Sequence, residues 1–280
     1  DQGEVNDDFM MSTNLHEIGA RMGWYDPSKG NKLNFLKTFA PERYHPSYSH
    51  LRIWRIFTFA NPLLNLPIDT NAYADDYPFS VEVSTKHFLS SEDLMNLQSD
   101  HFEGTKYDPT RGIASGPYGD PNRYDASIDL PHLSLDEVMA GEYPRAISLF
   151  RTTYSFVTVS RNFAPDILSM FWFAPYAPAQ SSYTPIFIKS DTLPKPYTSG
   201  TMHRYDPSVA WWNHCVVGNW ANRFYKYSMR MINNVRESLY LQLESNVRQL
   251  EVEIMTEYAQ NTKGQVIQDT QREAFEKKWS

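Results

Sequence analysis

From Phe224 to Tyr258 the apolar residues Phe224, Tyr227, Met231, Val235, Leu239, Leu243, Val247, Leu250, Ile254 and Tyr258 step by three or four, with Arg and Glu between them. Spacing of this kind, held over roughly ten turns, predicts one long amphipathic helix or two nearly collinear ones. It does not keep a strict seven-residue repeat, so packing across a sheet is expected rather than a coiled coil. The sheet must come from upstream. Ala146–Ser160 is rich in β-branched and aromatic residues and reads as one long strand or two paired ones. Met170–Phe173 and Thr184–Ile188 read as further strands, the second at an edge because of Pro185.

Nearer the start, Phe9–Ser12 reads as a short strand entering a turn at Thr13-Asn14. Leu15, Ile18 and Met22 follow at helical spacing, with Gly23 as the C-cap. Ser90 and Asp93 form the pattern of a capping box for a helix through Leu94–Leu97, running to about Phe102. The 18 prolines cluster in the middle of the chain, which implies short elements joined by fixed turns. The sum is an α+β fold with strands in the centre and helices outside. Residues 1–260 are read as one domain and residues 261–280 as a polar tail.

Composition narrows the function. The chain has 280 residues, 26 basic and 33 acidic side chains and a net charge of −7, with no Lys/Arg block, which argues against a nucleic-acid binder. No run of about 18 apolar residues could span a membrane. The single cysteine, Cys215, excludes an internal disulfide framework and a Cys-rich zinc module. Residue 1 is Asp, and no signal-peptide pattern follows it. Release from a longer precursor and an artificial start explain this equally well.

Motifs for metal, phosphate or dinucleotide binding are missing from the sequence. Gly112–Gly116 misses a nucleophile elbow because Ser115 stands one place late. His45 and His50 are separated by a proline-containing turn, a poor metal pair. His214-Cys215 invites a nucleophile reading, but adjacent side chains seldom face one another and the neighbours suggest a packed thiol. His101–Asp108 and Gly116–Tyr124 form a long Gly/Pro/Asn/Asp-rich loop, a binding-loop candidate or a loop pinned by turns and aromatic packing. Asn14, at a turn, could donate its amide to an oxyanion or simply bond local backbone. Arg52 and Arg55, three apart among apolar residues, require anionic partners, and a structural ion pair is the default.

Several blocks occur in a fixed order: Asp8–Leu15, Trp24–Pro27, Phe35–Phe39, Leu51–Phe57, Tyr73–Ser80, His101–Asp108, Gly116–Tyr124, Arg151–Phe156 and Ala210–Trp212. Together, over roughly residues 5 to 250, they resemble the C-terminal part of the dipeptidase-A family, cysteine dipeptidases of the N-terminal-nucleophile hydrolase superfamily. Secernins, acid ceramidase and bile-salt hydrolases are more distant relatives. The resemblance implies a four-layer αββα sandwich and a nucleophilic cysteine at the first position of the mature chain. That cysteine is absent here, since Asp1 is not it and Cys215 lies too late. The implied partner is therefore an N-terminal fragment of the same precursor carrying the nucleophile, and the implied substrate is a dipeptide.

By motif position the resemblance places oxyanion donors on Asn14 and Arg55, with Arg52 the alternative. No metal or cofactor is implied. A catalytically silent binding relative and an amidase for another small amide are the competing readings. Processing would suit a lysosomal, vacuolar or secreted enzyme, although the only glycosylation-like site is the rare-type Asn213-His214-Cys215. Association of several copies stays open.

Overall fold

The computed structural model describes residues 11–30, 32–39, 50–67, 89–112, 115–122, 145–161 and 164–262. Phe9, Met10, His45, the Tyr73–Ser80 block and the tail beyond Thr262 lie outside the described residues. The expected early strand falls partly there; Met11 and Ser12 form no strand.

Helix α1 (Leu15–Arg21) ends one residue earlier than its sequence predicts. Met22, rather than Gly23, caps it, and Gly23 follows at φ +72, donating its N–H to Ala20 O. Its one buried residue is Gly19, where a Cβ would come within 3.2 Å of Thr38 Cγ2, so the missing side chain lets α1 lie close against α2 (Phe35–Phe39). Helix α3 (His50–Ala60) buries Leu51 against Phe102 and Ala146. Helix α4 (Ser91–Gln98) starts on the complete capping box: Ser90 Oγ accepts from Asp93 N at 3.1 Å, and Asp93 Oδ2 accepts from Ser90 N at 2.8 Å.

Helix α4 stops before Phe102, earlier than predicted. Ser99 Oγ donates to Met95 O, Asp100 Oδ1 accepts from Phe102 N, and Phe102 itself sits at φ +59. Such short polar side chains offer the backbone an alternative to the helix ladder, and the left-handed residue turns the chain away.

Strands β1 (Tyr154–Val159), β2 (Met170–Pro175) and β3 (Thr184–Phe187) form one antiparallel sheet in the order β1-β2-β3. Only the second half of the predicted Ala146–Ser160 segment is strand, because 146–153 is taken up by turns and irregular chain. Pro185 lies on the edge strand, where a missing N–H is tolerated. Val157, Met170, Trp172 and Ala174 point to one face and pack with Met95 and Leu94 of α4. On the other face, Tyr154, Phe156 and Phe173 stack with one another, and Tyr154 and Phe156 are about half exposed. Short helix α5 (Lys195–Thr198) touches that second face through Tyr197 on Phe173.

Helix α6 (Ala210–Arg223) is followed, after Phe224, by α7 (Tyr225–Thr262), a helix of 38 residues. Its middle lies across the core face of the sheet through Tyr240, Leu243 and Val247, and further along Ile254 meets Ile167 and Leu168. Polar contacts fix its placement. Arg236 Nη1 donates to Ala179 O at 2.9 Å, Tyr240 Oη accepts from Tyr183 N at 2.9 Å, and Arg161 pairs with Glu251 at 2.5 Å. The predicted stripe does not all face inward, since Met231 is 71 % and Val235 72 % exposed. Each four-residue step advances about 40° around a helix of 3.6 residues per turn, so five steps from Tyr227 to Val247 carry the stripe to the opposite side. The fold is mixed α and β, with a small antiparallel sheet and helices on its core face; the described residues contain this one sheet.

Candidate functional site

The site grows from the segment that follows α4. Arg55 reaches from α3 to Asp100, with Nε at 2.8 Å and Nη2 at 2.5 Å from Oδ2, and Nη2 also donates to Glu103 O at 3.3 Å. Asp100 is only 10 % and Arg55 24 % exposed, so this pair is shielded from water. Asp100 uses its other oxygen to hold Phe102 N, and a single arginine thereby fixes the entry into the loop.

Inside that loop His101 is 2 % exposed. Its backbone N–H donates to Glu103 Oε2 at 2.6 Å, its Nδ1 lies 3.4 Å from Glu103 Oε1, and Tyr225 Oη is 3.0 Å from the same nitrogen. Burial works to raise the Glu103 pKa, but the hydrogen bonds and charge of His101 outweigh it and hold the carboxyl below the usual glutamate range. Burial pushes the Tyr225 hydroxyl up, with the Glu103 carboxylate adding to the effect, so it stays a neutral O–H.

The next turns build a wall. Asp108, nearly buried, accepts from Thr110 N at 2.9 Å and Thr110 Oγ1 at 2.6 Å. Arg111 Nε lies 3.1 Å from Asp108 Oδ2, an ion pair outside hydrogen-bond alignment. Ser115 is buried and donates to Gly112 O at 2.8 Å, which occupies the hydroxyl that a nucleophile would need. Tyr118 O accepts from Lys226 N at 2.9 Å, tying the wall to the first turn of α7. Between wall and helix lies a cavity of about 620 Å³. The described part of the loop run singled out from sequence, residues 101–108 and 116–122, thus forms a wall held by turns and by aromatic contacts such as Tyr118 on Phe224.

Asn14 stands at the N-cap of α1, exposed and with no side-chain capping bond. Its backbone carbonyl accepts from Ile18 N at 2.9 Å, while its amide is left for other partners. Among the described residues, helix α1 and α3 are not packed extensively on one another. Arg52 is half-buried on α3. Cys215 does not face His214: His214 Nδ1 is engaged with Ala210 O at 2.8 Å, and Cys215 Sγ takes a 3.4 Å contact from Asn219. Burial pushes the thiol pKa up, more than the Asn219 hydrogen bond lowers it.

Among the described residues, no group of three or more His, Cys, Asp or Glu is placed to hold a metal ion, and no helix is long and apolar enough to cross a membrane. Sequence reasoning missed Asp100, Tyr225 and the cations of α7. Asp100 was signalled only by the need of Arg55 for a carboxylate, and a partner so distant along the chain carries no local mark.

The geometry of the described residues shows no activated nucleophile, and the class of this protein, a peptidase, comes from its family. The model of peptidase family C69, the dipeptidase A family, matches residues 1–238, and the chain belongs to that family. No curated protein matches it.

Proposed function

We propose that the chain is the larger, C-terminal part of a cysteine dipeptidase, with the nucleophile carried on an N-terminal fragment of the same precursor. The observation that carries this reading is the family match over residues 1–238, which makes the chain a peptidase, together with a lone cysteine unfit for attack. Cys215 has a raised pKa, and the adjacent imidazole is turned to Ala210 O. In the proposed reaction the missing cysteine's thiolate attacks the peptide carbonyl, its α-amine moves the proton, and water resolves the thioester.

In this reading the Asn14 amide donates to the oxyanion, and the α3 pair supplies the cationic donor, Arg55 with Arg52 as the alternative. Arg55 also positions the loop through Asp100. The half-exposed aromatic face of Tyr154, Phe156 and Phe173 is the surface on which the fragment's sheet would lie, completing the four-layer sandwich.

A second reading, a catalytically silent relative, draws on one observation: Arg55 already has a structural partner in Asp100. Intact mass and N-terminal sequencing of the native particle, followed by dipeptide hydrolysis with and without a thiol-blocking reagent, separate the two. A second chain beginning with Cys and thiol-sensitive hydrolysis are expected. A lone 32.5 kDa chain without hydrolysis overturns the proposal.

A further inference from the structure

The cavity between the wall of residues 110–112 and 115–119 and the start of α7 has a charge arrangement that the fold alone does not account for. Its helix side presents Lys226, Met229, Arg230 and Asn233, and Arg111 lies on the loop side. None of the described lining residues is acidic, in a chain whose net charge is −7. Lys226 and Arg230 are four apart on one helix face, a like-charge spacing that destabilises a helix. They also lie in the first two turns of a 38-residue helix whose first turn has no acidic residue, where the dipole disfavours cations.

Neither Lys226 nor Arg230 has a carboxylate partner among the described residues. The nearby acids among the described residues are already engaged, Asp108 with Thr110 and Arg111, Glu103 with His101, and Asp120 with Asn122 N. Both side chains are exposed and border the cavity, where an anionic occupant would offset their mutual repulsion.

The walls are held together by close backbone contacts. Gly119 sits at φ +69, and a Cβ there would fall 2.9 Å from Thr110 O, so the loop closes tightly only with glycine at this point. The bond from Lys226 N to Tyr118 O sets the distance between wall and helix. A volume of about 620 Å³ lies in the usual range for small-molecule sites and far exceeds a lone inorganic ion. Pro117, Met229 and the Tyr225 ring give it an apolar part beside the charges.

We infer that this cavity binds the free carboxylate of a small peptide, with Lys226 and Arg230 as the anion-holding groups. The anion follows from the charges; its being a peptide rests on the dipeptidase reading above.

The test uses the protein purified in its native assembly and an N-methylated dipeptide, which resists cleavage, as free acid and as C-terminal amide. Calorimetric titration should show the acid binding about tenfold tighter than the amide, as expected when charge-assisted bonds are lost. Lys226→Gln with Arg230→Gln should bring that ratio close to one, while Arg248→Gln, further along the same helix, should leave it unchanged. Circular dichroism of each variant checks folding, and the wild-type ratio needs no variant at all. Equal affinity for acid and amide, a ratio that survives the double substitution, or tighter binding of inorganic phosphate than of the acid would each overturn the assignment. Hydrolysis is measured separately, so loss of the dipeptidase reading leaves the acid-against-amide result standing on its own.

Discussion

Tyr225 Oη stands 3.0 Å from Nδ1 of His101, joining the first turn of the long C-terminal helix to the loop that Arg55 anchors. Both residues are nearly buried, and their rings meet edge to face at 5.5 Å. Either the phenol donates to an unprotonated nitrogen or a protonated nitrogen donates to the oxygen, and in both cases the contact satisfies a buried polar atom. Tyr225→Phe keeps the ring packing and removes only this bond. We expect a loss of roughly 1–2 kcal/mol, the usual cost of leaving a buried partner unmade. Chemical denaturation of the two proteins measures it, and an unchanged midpoint would show that Glu103, 3.4 Å from the same nitrogen, already suffices.

Arg55→Ala strips a partner from Asp100, which is 10 % exposed. Breaking a fully buried pair costs about 3–5 kcal/mol; with Arg55 24 % exposed, about 2 kcal/mol is expected here. Arg55→Lys should recover only part of that, because an ammonium cannot serve both Asp100 and Glu103 O with the fixed fork of a guanidinium. If Arg55 acts solely by positioning the loop, turnover per folded molecule falls alike in Arg55→Ala and Asp100→Asn. A direct oxyanion role predicts a much larger fall for Arg55→Ala than for Asp100→Asn.

What was legible in the sequence was local. The Ser90–Asp93 box, Gly23 after α1 and Pro185 on an edge strand all depend on neighbours a few residues away, and each stands where its chemistry places it. The long helix was legible as a helix, but not its orientation. Its stripe winds about the axis, so Met231 and Val235 face outward while Leu243 and Val247 face the sheet. The loop after Gln98 was legible as a loop, whereas its anchor was not. Pairing Arg55 with Asp100 depends on how α3 is laid against the end of α4, and no local pattern records that. The cationic cavity was hidden for the same reason, since Arg111 and Arg230 come to line one cavity only once α7 has docked.

Asn14 offers a clean separation of stability from chemistry. Its side chain is exposed and makes no capping bond, so Asn14→Ala should leave the thermal midpoint nearly unchanged, by less than about 0.5 kcal/mol. An oxyanion donor lost from the site lowers kcat roughly 10²–10³-fold with little change in KM. Steady-state kinetics on a dipeptide and a melting curve on the same variant are the measurements. Full kcat in a correctly assembled enzyme removes Asn14 from the site.

Cys215 should be a slow thiol. Its thiolate is disfavoured by burial and supported only by an amide, so alkylation by iodoacetamide at neutral pH should lag behind a model cysteine peptide. The rate should keep rising with pH beyond the ordinary thiol value. Cys215→Ser should retain activity, since the hydroxyl can still accept from Asn219. Rapid stoichiometric labelling with loss of hydrolysis would return the nucleophile to this chain.

Two groups whose pKa values are lowered, His214 and Glu103, contribute to the acid limb of stability. Burial holds His214 below its ordinary value of 6.5, more than its bond to Ala210 O raises it, so the unfolded chain takes up a proton before the folded one does. Between that lowered value and 6.5 the unfolded state binds more protons, and stability therefore rises with pH in this window and is flat above it. Glu103 acts lower down. His101 keeps its carboxylate ionised below the ordinary 4.5, so its contribution is present above 4.5 and is lost as pH falls through the lowered value. Denaturant midpoints measured from pH 8 to pH 3 should stay level to about 6.5, then decline, and decline further below 4.5. In His214→Gln, which cannot titrate, the first decline should vanish while the lower one persists. A His214→Gln curve parallel to wild type between pH 6.5 and 5 would show that other groups govern the acid limb.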